Sequence, residues 1–326
     1  MIVDSASAPV SGENGLATLQ LSGAGGLTQF GAYLETLAPG AWSSARHWHS
    51  AEDEFLYLLE GTATLRDDNG MTDVFPGDAL CWRQGDPNAH HLTNRGEVPC
   101  NWLIVGSRAK GDICTYPDDG RRLVNGDTRW QMIAKDGAVL REGALPDELL
   151  DLRAPWGHAF DGTARQTLIR AGSAPGESVP NSYPAPFNAI GDYVAHPLSD
   201  AGGLTQFGAF TETLMPGARS SQRHWHSDED EFLYTLDGVV TLHENHGPRD
   251  LPPRTCVCWP AGVPNAHCLE NRTDQPVTYF VAGSRLPEDE VTYPDIDLHY
   301  SRHKGLRTQS HKDGTPYPGW PKETNR

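Results

Sequence analysis

Apolar residues in this chain come in short runs that alternate with polar residues or stop at a turn signal, which predicts antiparallel β-structure rather than helices. Thr62-Ala63-Thr64-Leu65 leads to Asp68-Asn69-Gly70 and then to Val74-Phe75. Both members of an Asn-Gly pair tolerate positive φ, so the stretch predicts a hairpin. Pro76-Gly77-Asp78 predicts the next turn, Ala79-Leu80-Cys81-Trp82 the next strand, and Gln84-Gly85-Asp86-Pro87 a further turn. On the strand that follows, Asn88, His90, Leu92 and Asn94 share one face, and residues 101 to 105 form another strand. Helical signal is scarce, the best lying at residues 146 to 152. Residues 171 to 189, rich in Pro, Ser, Ala and Gly, read as a linker or as an arm laid over the second half of the chain.

The pattern is written twice. Gly26-Leu27-Thr28-Gln29-Phe30-Gly31 returns 177 residues later as Gly203-Leu204-Thr205-Gln206-Phe207-Gly208, and Gly106-Ser107-Arg108 returns as Gly283-Ser284-Arg285. Tyr116-Pro117-Asp118 and Lys135-Asp136-Gly137 return at the same offset, so the two units should superimpose with no net insertion between these landmarks. This predicts an N-terminal domain over 1–140, a connector over 141–180 and a C-terminal domain over 181–326. Strands such as Phe55-Leu56-Tyr57-Leu58-Leu59 have too few polar positions to leave a sheet face in water, which predicts that the two units pack face to face.

The chemistry is concentrated in His47-Trp48-His49 with Glu54, and in its second copy, His224-Trp225-His226 with Glu231. Side chains two apart on a strand point to the same face, so each pair of imidazoles converges. The polar run Ser50-Ala51-Glu52-Asp53 must then turn, so that Glu54 meets the imidazoles from the start of a returning strand. Two nitrogens and an oxygen suit a first-row transition metal. His90 and His267 sit at equivalent positions downstream and complete the set, whereas His91 has no repeat partner. The predicted metal ligands are therefore His47, His49, Glu54 and His90, and His224, His226, Glu231 and His267. Asn88 and Asn265 remain open as alternatives for the fourth ligand. Arg46 and Arg223 face away from the ligand face, which suits ion pairs with the turn acids, or else a clamp on a substrate carboxylate. Asp53 and Asp230 could orient a ligand histidine or sit solvated in the turn, and Trp48 and Trp225 suit the core.

Lys and Arg number 26 against 43 Asp and Glu, and the net charge of −17 argues against a nucleic-acid backbone or an anionic membrane as partner. The first residues lack a basic segment followed by an apolar core, and no run is long enough to span a bilayer, so the expectation is a soluble, cytoplasmic protein. Of the six cysteines only Cys81 and Cys258 are repeat equivalents, which fits reduced, buried thiols rather than a disulfide framework.

These residues resemble the cupin superfamily, whose first motif is a Gly, an H-x-H, a Glu and a further Gly. Gly40, His47, His49, Glu54 and Gly61 fit it, as do Gly217, His224, His226, Glu231 and Gly238. The resemblance implies an all-β fold of two tandem cupin jelly-roll β-barrels packed against each other, a bicupin with the metal inside each barrel. Where the family's second motif has a His three residues after a Gly, this chain has Asn88 and Asn265, so its histidine has slid two places along the same strand face. The expected cofactor is a divalent transition metal, Fe, Mn, Ni, Zn or Co, one per domain.

Four protein ligands on a six-coordinate ion leave two positions for substrate or dioxygen. No G-x-S-x-G elbow, phosphate loop or dinucleotide fingerprint appears, which removes weight from serine, nucleotide and nicotinamide chemistry. The expectation is a metal-dependent enzyme acting on a small oxygenated organic acid, as a dioxygenase or as a decarboxylase or lyase. A non-catalytic small-molecule or metal-binding bicupin and a sugar isomerase or epimerase are the alternatives. The expected partner is a small-molecule carboxylic acid, and self-association into a homodimer stays open.

Overall fold

In the computed structural model, which describes residues 1–3, 8–145, 147–150, 165–178 and 183–323, each half of the chain is a jelly-roll-like barrel. The first is built on a seven-stranded sheet in the order Leu168–Ile169, Ala79–Trp82, Glu54–Glu60, Cys100–Ser107, Phe30–Leu37, Leu16–Gln20, Val10–Ser11. Its other layer is a three-stranded sheet (Ala63–Asp67, Gly70–Val74, His91–Thr93) and a five-stranded sheet that starts at Trp48–His49 and pairs it with Ile113–Tyr116. The second half repeats this order with Glu231–Asp237 and Val277–Ser284 at the centre of its large sheet. The Asn-Gly hairpin forms between Ala63–Asp67 and Gly70–Val74. Asp147–Leu150 forms a helical turn in the connector, and the rest of that predicted stretch lies outside the described residues apart from Leu145 before it.

Strand parity decides which side chains meet. On Glu54–Glu60, Leu56 and Leu58 point into the barrel with Leu65, Val74, Leu80 and Trp102. Phe55 and Tyr57 point the other way and stack on Phe280 of the second barrel, with centroids 5.6 and 6.0 Å apart. Phe30, Phe55, Phe207, Phe232 and Phe280 are fully buried in one core shared by the two barrels. The face-to-face packing expected from the apolar strands is therefore present. Trp48 and Trp225, expected in the core, are only half-buried.

Two reciprocal devices lock the barrels together. Asp53 Oδ2 accepts the backbone N–H groups of Thr205 and Gln206 at 2.6 and 2.9 Å, and its Oδ1 accepts that of Gln84 at 2.8 Å. Asp230 does the same with Thr28, Gln29 and Ala261 at 2.7, 2.9 and 2.7 Å. The repeated Gly-Leu-Thr-Gln-Phe-Gly stretch thus offers each barrel's amides to the other's aspartate. This corrects the expectation for Asp53 and Asp230: they neither orient a histidine nor sit in water, but are buried hydrogen-bond acceptors at the interface. In the second device, the strand ahead of each barrel joins the sheet of the other. Ile2–Val3 pairs with Val257 and Cys256, and Leu168–Ile169 pairs with Leu80 and Ala79.

The segment before the second barrel is an arm over it, as the sequence suggested: the Phe187 carbonyl accepts a hydrogen bond from Gln222 at 2.7 Å, and Tyr183 packs edge-on against Tyr293. Both Lys-Asp-Gly stretches are simple turns. The six cysteines are buried and unbridged.

Candidate metal centres

His47 is paired directly opposite His90, its N–H donating to the His90 carbonyl at 3.1 Å and its carbonyl accepting the His90 N–H at 2.9 Å. His49 lies on the two-residue strand Trp48–His49, held at its carbonyl by the Gly85 N–H at 2.8 Å. Glu54 opens the central strand of the large sheet and faces Gly106 and Trp82 across it. The motif's last glycine, Gly61, has φ +77 and its missing Cβ would meet the Cys100 Cα at 2.8 Å, so no other residue fits the turn that ends this strand.

These placements bring His47, Glu54 and His90 together with ligand atoms within 4.8 Å of one another, and the rings of His47 and His49 have centroids 5.2 Å apart. His90 Nε2 is 3.2 Å from Glu54 Oε2. In the second barrel His224, His226 and Glu231 gather in the same way, His267 Nε2 lies 2.8 Å from Glu231 Oε2, and the His224 and His267 rings are 5.0 Å apart. His47, Glu54 and His90 thus form one group and His224, His226 and Glu231 another, with His49 set against His47 and His267 against Glu231, so that the eight residues singled out from the sequence lie four to a barrel. Asn88 does not join them: its amide donates to Asp67 at 3.1 Å and accepts from the Asp68 N–H at 3.1 Å, bracing the hairpin. Asn265 is engaged with Glu244 and Asn245. His91 Nδ1 lies 2.8 Å from the Ser44 carbonyl, away from the cluster. Arg46 is in an ion pair, though with Asp118 and Asp68 rather than with the turn acids beside it, and Arg223 pairs with Asp295.

Residues the sequence did not single out build the surroundings. Asp112 Oδ2 sits 2.7 Å from His49 Nδ1, and Asp289 holds His226 Nδ1 at the same distance. A carboxylate on Nδ1 fixes the ring so that Nε2 faces the cluster. Trp82 stacks on His90 at 3.8 Å and Trp259 on His267 at 3.9 Å, fixing those rings as well. Tyr116 and Tyr293 lie over His47 and His224, and Cys114 comes within the His47–His49 group where the second barrel has Val291. The Asp, Tyr and Trp positions recur at the 177-residue offset, which was the available signal.

Burial, with the neighbouring imidazole charges, pushes the His47 pKa down to about 4, and burial with the His267 charge pushes His224 to about 3. These two rings are therefore neutral donors of electron pairs. Burial works against the ionised form of Glu54, but the hydrogen bond and charge of His90 outweigh it and hold the carboxyl at about 2. Glu231 is held well below the usual range by His226 and His267 against the same burial. For His226 burial is again outweighed, here by Glu231 and Asp289, and its pKa rises to about 9.

The residues fit a metal ion on their own chemistry. Glu231 Oε2 is buried beside His267 and no aligned donor reaches it, and each cluster sets a neutral imidazole, His47 or His224, beside an ionised carboxylate.

Beside the first cluster lies a cavity of about 490 Å³, walled by His49, Glu54, Glu52, Glu35, Tyr33 and Asn125 among others. Glu35 accepts hydrogen bonds from the Thr18 hydroxyl and the Trp102 indole N–H, both at 3.0 Å. Burial nevertheless pushes its pKa up to about 7, and burial together with Asp112 takes Glu52 to about 7. At the matching wall positions the second barrel has Phe210 for Tyr33 and Arg302 for Asn125, and Arg302 bonds Glu229.

A family model described as a cupin domain matches residues 33–106 and again 210–283. The chain is 38% identical to a cupin-superfamily sugar phosphate isomerase of Silicibacter pomeroyi, over 44% of this chain and 90% of that one, with a TM-score of 0.41. The oxalate decarboxylase of Bacillus subtilis superposes over 86% of this chain and 75% of its own, with a TM-score of 0.51 at 16% identity, a likeness of fold. The tetracenomycin polyketide synthase protein TcmJ of Streptomyces glaucescens is 35% identical over 83 residues, so that the chain spans 53% of the length of that relative and 26% of its own is matched. Among the described residues no helix is long and apolar enough to cross a membrane.

Proposed function

The chain belongs to the cupin superfamily as a bicupin, and from that premise we propose that each barrel binds one divalent transition metal ion and that the first barrel is an enzyme site for a small oxygenated organic acid. The ligands are His47, His49, Glu54 and His90 in the first barrel and His224, His226, Glu231 and His267 in the second. The observation that carries the reading is the cavity of about 490 Å³ that opens on His49 and Glu54, because a ligand set with free positions needs room beside it for a substrate. A bound Fe, Mn, Ni, Zn or Co ion would supply a Lewis acid to a carboxylate and its neighbouring hydroxyl or carbonyl oxygen.

The rest is done by the chain's own groups. Asp112 and Trp82 keep His49 and His90 from rotating out of line. Glu35, with a pKa near neutrality, can exchange a proton with a substrate held beside it. This serves decarboxylation or lyase chemistry, where a carbanion must be protonated, and dioxygen-dependent cleavage equally. Glu35 also supports a second reading, isomerisation or epimerisation of a sugar, since it provides an acid–base residue of the kind that chemistry requires.

The test is to load the protein with each metal and offer hydroxy-, oxo- and sugar acids while following oxygen uptake and product mass. Conversion that disappears in His49→Ala and survives in His226→Ala is expected. Oxygen uptake marks the dioxygenase, turnover without oxygen the decarboxylase or lyase, and tight binding without product throughout would overturn the enzyme reading in favour of a binding module.

A further inference from the structure

The two barrels differ at one wall position in a way that points to the ligand. In the second barrel Glu229 Oε1 accepts the Leu286 N–H at 2.7 Å and also an N–H of Arg302 Nη2, whose side chain is 19% exposed. In the first barrel the equivalent Glu52 Oε1 accepts the equivalent N–H, that of Ala109, at 2.9 Å. Its backbone anchor is thus the same. The position equivalent to Arg302 is Asn125, and among the described residues the ion-pair contact of Glu52 is His49 alone, with Nδ1 at 3.7 Å. Both Glu52 and Asn125 face the cavity.

Arg108, the one Arg or Lys among the described residues lining that cavity, does not account for the difference. Its Nη1 donates to the Leu27 and Thr28 carbonyls, and its counterpart Arg285 turns likewise to the Leu204 carbonyl. The wall around Glu52 is otherwise acidic, with Glu54 and Glu35 on the same cavity and Asp112 behind His49. The second barrel therefore carries a guanidinium of its own where the first leaves an open space against the same carboxylate.

Resting on the reading of the first barrel as the substrate site, we propose that its substrate is a small acid bearing a guanidinium group, seated on Glu52 in the place that Arg302 takes on Glu229. A carboxylate binds a guanidinium through paired N–H donors, a geometry an uncharged isostere reproduces without the charge. The acid's carboxylate end is then left to the cluster at His49 and Glu54.

The experiment is titration calorimetry on the full chain with guanidinoacetate, 3-guanidinopropionate and 4-guanidinobutyrate, each against its ureido counterpart and against the amino acid of matching length. The expected result is one molecule bound per chain, with the best guanidino acid at least tenfold tighter than its ureido isostere. Glu52→Gln should bring the two to parity. Asn125→Arg, which builds the second barrel's arrangement into the first, should remove binding, and Arg302→Asn should admit a second molecule per chain. Equal affinity for guanidino and ureido acids, a preference for the amino acid, or a guanidinium preference unchanged in Glu52→Gln would each overturn the proposal. Because calorimetry reads binding without chemistry, a guanidinium preference in a protein that converts none of these acids would remove the enzyme reading and leave this one standing. Turnover of acids that carry no cation, with no guanidinium preference, would do the reverse.

Discussion

The first barrel and the second hold the same ligand scaffold inside different walls. His47, His49, Glu54 and His90 superimpose in role on His224, His226, Glu231 and His267, down to the aspartate on Nδ1 and the tryptophan on the last ring. The walls have diverged: Asn125 against Arg302, Tyr33 against Phe210, Cys114 against Val291, and an arm that brings Tyr183 to Tyr293 on the second barrel alone among the described residues. The scaffold is set by strand pairing, where a one-residue slip would turn every ligand to the wrong face. A wall residue is tied only to its neighbours, so it can change without disturbing the fold. The two sites thus differ at the same carboxylate, which faces Asn125 and a cavity in the first barrel and the built-in cation of Arg302 in the second.

The comparison can be broken first at the interface, where the two halves should behave alike. A buried N–H left without an acceptor costs about 1–3 kcal/mol. Asp53→Ala strips an acceptor from three such groups, two of them in the other barrel, so it should lower the unfolding free energy in urea by about 3 kcal/mol or more. Asp230→Ala should match it, and unequal losses would show that the reciprocal lock is not symmetric in energy.

The next largest effect is on pH dependence. Glu35 has its folded-state pKa raised from 4.5 to about 7 by burial, so the folded chain holds that proton more tightly than the unfolded one. Its contribution is fully present below pH 4.5 and is lost as the pH rises through 7, a change of about 3 kcal/mol at 1.36 kcal/mol per unit. In the metal-free protein, thermal unfolding midpoints should fall over this window and should flatten in Glu35→Gln. Glu212, raised by burial as well and bonded by the Tyr279 hydroxyl at 2.6 Å, should show the same sign in Glu212→Gln. A rise in stability from pH 5 to 8 would contradict the buried placement of Glu35.

The aspartates hydrogen-bonded to His49 and His226 sharpen the metal side. Asp112→Asn and Asp289→Asn are each expected to weaken metal retention by about 10–100-fold in their own barrel, read by competition with a chelator. Loss from both barrels in one variant would mean the sites are coupled.

The smallest effect concerns a turn. Gly77 with φ +87 is replaced in the second barrel by Arg254 with φ +68, where a side chain is strained, and Arg254 pairs with Glu60 across the interface. That pair is largely exposed and worth at most about 1 kcal/mol. Arg254→Gly should therefore stabilise the protein by no more than about 1 kcal/mol, and a net loss would show that the Glu60 contact outweighs the backbone strain.

Much of the site was legible because it is local. An H-x-H on one strand face, a turn of four polar residues and a returning Glu state their own geometry, and repetition of the set at a constant offset raised it above chance. His90 was legible from parity and repetition together. The partners that make the site specific were not, because Asp112 stands 63 residues from His49 and Glu35 reaches the cavity from a strand with no motif. Tyr116-Pro117-Asp118 was visible as a repeated landmark, yet nothing local says that its Tyr covers His47 or that Asp118 answers Arg46. Asp53 was misread for the same reason. Its neighbours in the sequence belong to the His and Glu cluster, while its hydrogen bonds run to Thr205 and Gln206, in the other half of the chain.

By itself the sequence determined that the chain is two antiparallel β units of one design, since alternation and turn chemistry act over a few residues and need no tertiary context, while the barrel form was what the resemblance to the cupin superfamily implied. It also singled out the His and Glu side chains of the two clusters, since parity is a property of the strand. Only the tertiary structure decided that each leading strand joins the other barrel's sheet, that Asp53 and Asp230 serve the interface, and that one barrel keeps a cavity where the other holds Arg302. Those outcomes rest on contacts between residues far apart in the chain, where burial and hydrogen-bond satisfaction, not local conformation, select the arrangement.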